Sequence, residues 1–275
     1  DLMYTYSFAP NPEWSHLFAE GAEIQKYFLS VAEKHHLMER IRFNEGVTSC
    51  VLEGKTWRLT TSQNKQEVVD FVINATGILH HPAFPDIEGM DQYKGVMFHT
   101  AQWNHHFDPR GKRVGVIGTG STAAQLIPEL AKQVEHLTVF QRTPQWIFPL
   151  PNKQFAEGTK AFLRKSQVGL RAIRDFETWN ISNLLTKAVI GHPVQKAILT
   201  AACKANLRLS VKDAALRKKL TPNYTVGCKR IVVNATFYPA IQQPHVHLET
   251  LGIKRFTPEG IETSDGQEHK LDAVV

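Results

Sequence analysis

Lys112–Trp146, KRVGVIGTGSTAAQLIPELAKQVEHLTVFQRTPQW, decides the fold. Val114-Gly115-Val116-Ile117 is a short apolar run of the kind that forms a buried parallel strand. It runs into Gly118-Thr119-Gly120-Ser121-Thr122-Ala123, a G-x-G-x-x-A turn, and then into a helical pattern through Ala124, Ile127, Leu130 and Ala131. Leu137-Thr138-Val139-Phe140 follows at the distance expected of the next parallel strand. Gly118 allows a tight strand-to-helix turn, and Gly120 leaves bare backbone where a pyrophosphate can approach. Ala123 lets helix and strand pack closely, and the helix N-terminus offers free N–H groups to phosphate. Gly118, Thr119, Gly120, Ser121, Thr122 and Gln125 are therefore the candidate dinucleotide contacts.

The end of the second strand selects the dinucleotide. A site for NAD usually carries an acidic side chain there for the ribose 2′-hydroxyl. This chain has Gln141-Arg142-Thr143 instead. Arg142 can meet a 2′-phosphate with a charge-assisted bidentate contact, with Thr143 beside it, so NADPH is expected. The plainer alternative for Arg142 is a solvated surface arginine.

The 275 residues are 42% hydrophobic, enough for one large or two modest cores. No run approaches the ~18 apolar residues of a membrane span, and no signal peptide is visible. The chain opens on Asp1 rather than Met, which suggests a start that is not the native one. Cys50, Cys203 and Cys228 are odd in number and widely spaced, the pattern of reduced thiols in a cytoplasmic protein. The 13 histidines, doublets His35-His36, His80-His81 and His105-His106 among them, show no helical or hairpin metal spacing, so no metal site is expected. The net charge of +6 is concentrated in Lys196–Arg230, where eight cations, from Lys204 to Arg230, face only Asp213. Aromatics for base stacking are missing there apart from Tyr224. The stretch reads as a solvated helical face, partly serving cofactor phosphates, rather than as a nucleic-acid site.

Taken in order, Asp1–Pro12 is aromatic and extended (Tyr4, Tyr6, Phe8), and a helix over about 22–36 turns Ile24, Phe28, Val31 and His35 to one face. Short strands follow at Val47–Leu52, Thr56–Thr61 and Val68–Asn74, the last leading into Ala75-Thr76-Gly77. After the central stretch, helices are expected at 161–176, 181–190 and 194–209, too much chain for an ordinary αβ connection and so a helical insertion at about 153–220. Strand candidates Ile231–Val233 and Val246–Leu248 precede a second short-strand meander at Ile253–Phe256 and Gly260–Thr263.

That meander repeats the first. Thr61-Ser62-Gln63 and Val69-Asp70-Phe71-Val72 align with Thr263-Ser264-Asp265 and Leu271-Asp272-Ala273-Val274. Ala75-Thr76-Gly77 begins five residues after Asp70, and the same offset from Asp272 falls beyond Val275. The second copy has a glycine turn upstream and the first has none. The expectation is an α/β protein with two dinucleotide-binding (Rossmann-like) domains carrying β-meanders. The first, residues 1–104, is a partial FAD-binding domain without its glycine turn. The second, residues 105–275, is an NADPH-binding domain without its closing strand. The chain is then an internal fragment; chance likeness between two polar hairpins is the alternative.

Tyr93-Lys94-Gly95, His99 and Trp103-Asn104, just before the glycine turn, resemble the F-x-G-x-x-x-H-x-x-x-W-P/D fingerprint of type I Baeyer–Villiger monooxygenases, within the flavin-containing monooxygenase superfamily. Tyr93 stands in place of phenylalanine, and Asn104 in place of proline or aspartate. The Tyr4–Phe8 opening, Ala75-Thr76-Gly77, Phe140-Gln141-Arg142-Thr143-Pro144 and Gly227-Cys228-Lys229-Arg230 resemble the same family in the same order. Trp103 separates this pattern from that of the N- and S-oxidising relatives. The resemblance implies FAD reduced by NADPH, capture of O2 as a C4a-peroxide, and conversion of a ketone to an ester or lactone. It implies that Arg230 is the catalytic cation and that Lys229 contacts the NADPH phosphate. It also implies that Ala75, Thr76 and Gly77 serve a cofactor, and that Gly95, His99 and Trp103 lie on the connection between the nucleotide domains. The substrate partners are a small ketone, or a sulfide or amine, and O2.

Other chemistries fail on pattern. Ser121 lacks the glycines of a G-x-S-x-G elbow, and no G-x-x-x-x-G-K-[ST] is present. Heteroatom oxidation on the same scaffold, and an NADP(H)-binding module without activity, are the alternatives.

Overall fold

The computed structural model describes residues 4–77, 79 and 81–275. Asp1–Met3 of the aromatic opening and His80 of the His80-His81 pair lie outside the described residues. The chain divides after His81 into two units.

In the first unit, α1 (Gly21–Lys34) buries Tyr27 and Val31. Val31 faces inward as expected and Ile24 is half-buried, but Tyr27 takes the inward place expected of Phe28, which is exposed. The reason is polar. The Tyr27 hydroxyl donates to Ala9 O at 2.7 Å and accepts from Tyr6 N–H at 2.8 Å, which fixes that side chain inward. The same bonds fold the opening segment into turns rather than an extended run. Trp14 is fully buried, with its indole N–H on Thr5 Oγ1 at 2.9 Å. Strands β1 (Val47–Glu53), β2 (Thr56–Thr61) and β3 (Gln66–Val69) form an antiparallel meander in that order. The strand expected to continue to Asn74 stops at Val69, and Phe71 and Ile73 stand 87% and 91% exposed.

The second unit opens with β4 (Val96–Met97), followed by β5 (Arg113–Ile117), α2 (Ser121–Ala131), β6 (His136–Phe140) and β7 (Ile147–Phe148). The helical insertion comprises α3 (Glu157–Lys165), α4 (Gln167–Asn180), a π-helical turn at Ile181–Thr186, α5 (Lys187–Val189), α6 (Pro193–Ser210) and α7 (Ala214–Lys219). Then come β8 (Val232–Val233), α8 (Phe237–Ile241), β9 (Val246–Glu249), a meander of β10 (Ile253–Thr257), β11 (Gly260–Thr263) and β12 (Glu268–Lys270), and finally β13 (Ala273–Val274).

Five strands form a parallel sheet in the order β4-β13-β5-β6-β9, while β7 and β8 pair separately. Two expectations change here. Residues 82–104 belong to the second unit, because β4 pairs with β13. The strand thought missing from this unit is present, since Ala273 and Val274 pair with β4 on one side and β5 on the other. Arg113 locks it there. Its backbone N–H donates to Asp272 Oδ2 and its guanidinium donates to Oδ1, both at 2.8 Å.

One sheet face buries Val114, Val116, Leu137 and Val139 against α2, α8 and the end of α6. The other packs Phe140 and Val274 against Phe256, Ile261 and Leu271 of the meander and its exit. Pro128 sits inside α2 and cannot donate to Ala124 O. The Asn234 side-chain amide donates to that carbonyl instead, at 3.1 Å. The two meanders match bond for bond: Thr61 N–H to Lys65 O and Thr263 N–H to Gln267 O, Ser62 N–H to Gly46 O and Ser264 N–H to Gly252 O. Asn64 and Gly266, both at positive φ, occupy the same turn position.

Candidate functional site

The sheet order reverses between β5 and β13, which is where open α/β sheets place a ligand at the carboxyl ends of their strands. The glycine turn lies at that end of β5. Gly118 has φ +107°, a conformation that only glycine adopts freely, and its N–H donates to Phe140 O at 2.9 Å. A Cβ at Gly118 or Gly120 would meet nothing within 4 Å, so both present bare backbone to open space. Gly120 precedes α2 and supplies no side-chain cap. The first N–H groups of the helix, those of Ser121 and Thr122 included, are left for an incoming anion. Thr122 and Gln125 are exposed on this first turn, and Ser121 is half-buried.

Behind the turn runs a polar chain. Thr119, buried, donates from Oγ1 to Thr143 O at 3.1 Å. Gln145 Nε2 donates to the same carbonyl at 3.2 Å, and Gln145 Oε1 accepts from the Tyr224 hydroxyl at 3.1 Å. Trp146 donates its indole N–H to Tyr224 O at 2.9 Å. The Lys229 ammonium lies 4.8 Å from the centre of the Tyr224 ring, a cation–π contact. Burial pushes the Tyr224 phenol up, so it stays protonated as a donor. The structure thus joins Thr119, Thr143 and Lys229 through Gln145 and Tyr224. Sequence reasoning passed over those two linkers as site residues, because a single glutamine and tyrosine 79 positions apart leave no periodic signal.

Arg142 is exposed at the end of β6, between Thr143 and the buried Gln141. Gln141 Nε2 donates to Lys219 O at 2.8 Å, anchoring this loop to the end of α7, while its Oε1 is buried without a hydrogen-bond partner. Open glycine backbone, an uncapped helix and adjacent exposed cations form a donor set that fits a dinucleotide phosphate. Arg230 is exposed ahead of β8, and its neighbour Ile231 is buried with Trp146, Leu199 and Cys203. The Val232 N–H to Trp146 O bond, 3.0 Å, ties that segment to the strand following Arg142.

The remaining candidates have local tasks. A Cβ at Gly95 would collide with the Tyr93 hydroxyl and approach Asp272 O to 2.8 Å. Tyr93 donates to Leu271 O at 3.0 Å, and burial first, then the Asp272 charge, pushes its phenol up to about 12. His99 Nδ1 accepts from Ala101 N–H at 3.0 Å and so starts a short turn. Trp103 packs edge-on against Phe98, 4.9 Å between centres, beside the main core. In the first unit, Ala75, Thr76 and Gly77 are exposed, and Asn74 Oδ1 accepts from Thr76 N–H at 3.2 Å.

A family profile described as flavin-binding monooxygenase-like matches residues 1–242. The Mycobacterium bovis protein named uncharacterized monooxygenase Mb0916 is 40% identical over 275 residues, covering 99% of this chain and 55% of the relative. A protein of Streptomyces coelicolor named Baeyer-Villiger monooxygenase is 36% identical, covering 99% of this chain and 53% of its own length. A solved structure titled oxidized steroid monooxygenase bound to NADP superposes with a TM-score of 0.82 at 30% identity, over 100% of this chain and 60% of that one. The chain therefore spans about half the length of the curated relatives it matches.

Proposed function

Because this chain belongs to the flavin-binding monooxygenase-like family, we propose that the whole protein is an FAD- and NADPH-dependent monooxygenase. It places one oxygen atom of O2 beside a ketone carbonyl to give an ester or lactone. Residues 82–275, with the insertion at about 153–220, act as the NADPH-binding domain, and residues 1–81 contribute part of the FAD-binding domain. The observation that carries this reading is the open, uncapped glycine turn at the β5–β13 reversal, with Arg142 and the tethered Lys229 among its flanking residues. The α2 N–H groups hold the pyrophosphate, Arg142 and Lys229 hold the 2′-phosphate, and Thr119 and Thr143 fix the spacing between them. Ala75, Thr76 and Gly77 serve FAD; residues 1–104 carry no G-x-G-x-x-G turn of their own. FAD supplies the redox chemistry and the protein supplies position, charge and exclusion of water. Arg230 is the fixed cation for negative charge that develops on oxygen, worth most where water is excluded. Three free cysteines and no helix long and apolar enough to cross a membrane, among the described residues, suit a cytoplasmic enzyme.

The test is product formed per NADPH consumed by the full-length enzyme, with ketone, sulfide and amine substrates side by side and hydrogen peroxide counted separately. Ester from ketone is expected, and Arg230→Ala should abolish it while some NADPH oxidation to peroxide persists. Oxygenation of sulfide or amine alone would replace the ketone reading with heteroatom oxidation. Near-native coupling in Arg230→Ala would remove Arg230 from the chemistry.

A further inference from the structure

Away from the glycine turn, β9 carries His247 and Glu249 two residues apart, so both side chains leave the same face of the sheet edge. The meander lays His269 of β12 over that face, edge-on to Phe140 at 5.4 Å between ring centres. Glu249 and His269 side chains are 8% and 7% exposed, and His247 is 46% exposed. Glu249 uses one oxygen fully: Oε1 accepts the N–H groups of Thr250 and Leu251, both at 2.7 Å. Oε2 faces His247 Nε2 at 3.4 Å and His269 Nε2 at 3.5 Å.

Those two distances are long for hydrogen bonds to a carboxylate, which settle at about 2.7–2.9 Å when charge-assisted. They match another geometry. In a tetrahedral site with ligand bonds of about 2.0–2.2 Å, neighbouring donor atoms stand roughly 3.3–3.6 Å apart. We propose that His247 Nε2, His269 Nε2 and Glu249 Oε2 form a binding site for a divalent transition ion of the zinc class, with a fourth position open to solvent beside His247. All three donor atoms lie within 4.8 Å of one another, and the exposed His247 ring is the one able to close the remaining gap. Two imidazoles and one carboxylate select a borderline ion over magnesium or calcium, which prefer all-oxygen sets.

Among the described residues, His269 Nε2 meets Thr263 Oγ1 at 3.4 Å and Glu249 Oε2 at 3.5 Å, both long contacts. An ion there ties the meander to the sheet edge, because β12 reaches β9 through it. H-x-E on a strand, with a third ligand 20 residues later in a hairpin, is the signal that a search for helical or hairpin metal spacing does not find.

The test uses the protein dialysed against a chelator and titrated with Co2+ as a visible stand-in, then with Zn2+ in competition. One equivalent of Co2+ should bind with the absorption of a tetrahedral ion and be displaced by Zn2+. Losing a partner behind a ligand already costs about 10–100-fold in affinity, so losing a ligand should cost at least about a hundredfold in both His247→Ala and Glu249→Gln. His247→Ala removes an exposed ring, so its circular dichroism should match the parent, and Zn2+ should raise the melting temperature of the parent alone. No stoichiometric binding, or equal binding by parent and both variants, overturns the site.

Discussion

Thr143 O accepts two hydrogen bonds, from Thr119 and from Gln145, and so fixes the distance between the glycine turn and the loop that bears Arg142. Arg142 itself makes none of these bonds and is exposed, as a side chain awaiting an anion would be. Its loss should therefore leave the fold unchanged and appear only in cofactor choice. One charged hydrogen bond to the 2′-phosphate contributes about 1.5–3 kcal/mol, or roughly ten- to a hundredfold in affinity. Arg142→Ala should weaken NADPH by that factor and NADH hardly at all, as read by fluorescence titration of both cofactors. Equal losses would assign Arg142 to the fold. At this scale the sequence disclosed the residues whose type is dictated by a local turn, Gly118, Gly120 and Arg142. It did not disclose Gln145 or Tyr224, nor Glu249 between its two histidines, because those partners meet only through the tertiary fold.

Among the elements, α2 contains a proline that it could not tolerate alone. Pro128 leaves Ala124 O without its helical donor, and Asn234 supplies one while its own Oδ1 accepts from Thr236 and Phe237 N–H, both at 2.7 Å. One amide thus serves the helix that follows the glycine turn and the start of α8. Asn234→Ala strands three backbone groups, each costing about 1–3 kcal/mol when buried. With Asn234 half-buried and water replacing part of the loss, the expected destabilisation is about 2–4 kcal/mol by urea denaturation. Asn234→Asp keeps the acceptor and should recover roughly half of that. The strands around the glycine turn and most of the helical insertion were legible, since each shows its own period. In α1 the choice of Tyr27 over Phe28 as the inward residue was not legible, because the Tyr27 hydroxyl and not apolar spacing makes it. The end of β3 was not legible either: Phe71 and Ile73 have the composition of a strand yet stand almost fully exposed.

Across the whole second unit, the central junction is the clamp of Arg113 on Asp272. The hydrogen bonds from Arg113 hold the Asp272 carboxyl below its ordinary value, against a smaller opposing effect of burial. A carboxyl depressed in the folded state stabilises fully above its unfolded value of about 3.9 and stops doing so as pH falls through the folded value. Asp272→Asn should thus lower stability at pH 7 and flatten the acid limb, with a smaller difference left at pH 2. The partners are 42% and 34% exposed, which holds the pH 7 loss to about 1 kcal/mol. Denaturation curves at the two pH values give the comparison. An equal loss at both would mean that the clamp acts through shape and not charge.

The clamp also bridges 159 positions of sequence, since β13 enters between β4 and β5 only after the insertion and the second meander have been made. Loop closure over that distance is not expensive at equilibrium, because each doubling of loop length adds only about 0.6 kcal/mol. The cost is in time. Pairings so remote form late, and until β13 arrives β5 keeps one edge of unpaired N–H and C=O groups beside the glycine turn. This sheet is thus most open to association with other chains during folding, and a dinucleotide engaging the finished turn, as proposed, would reward the last pairing to form.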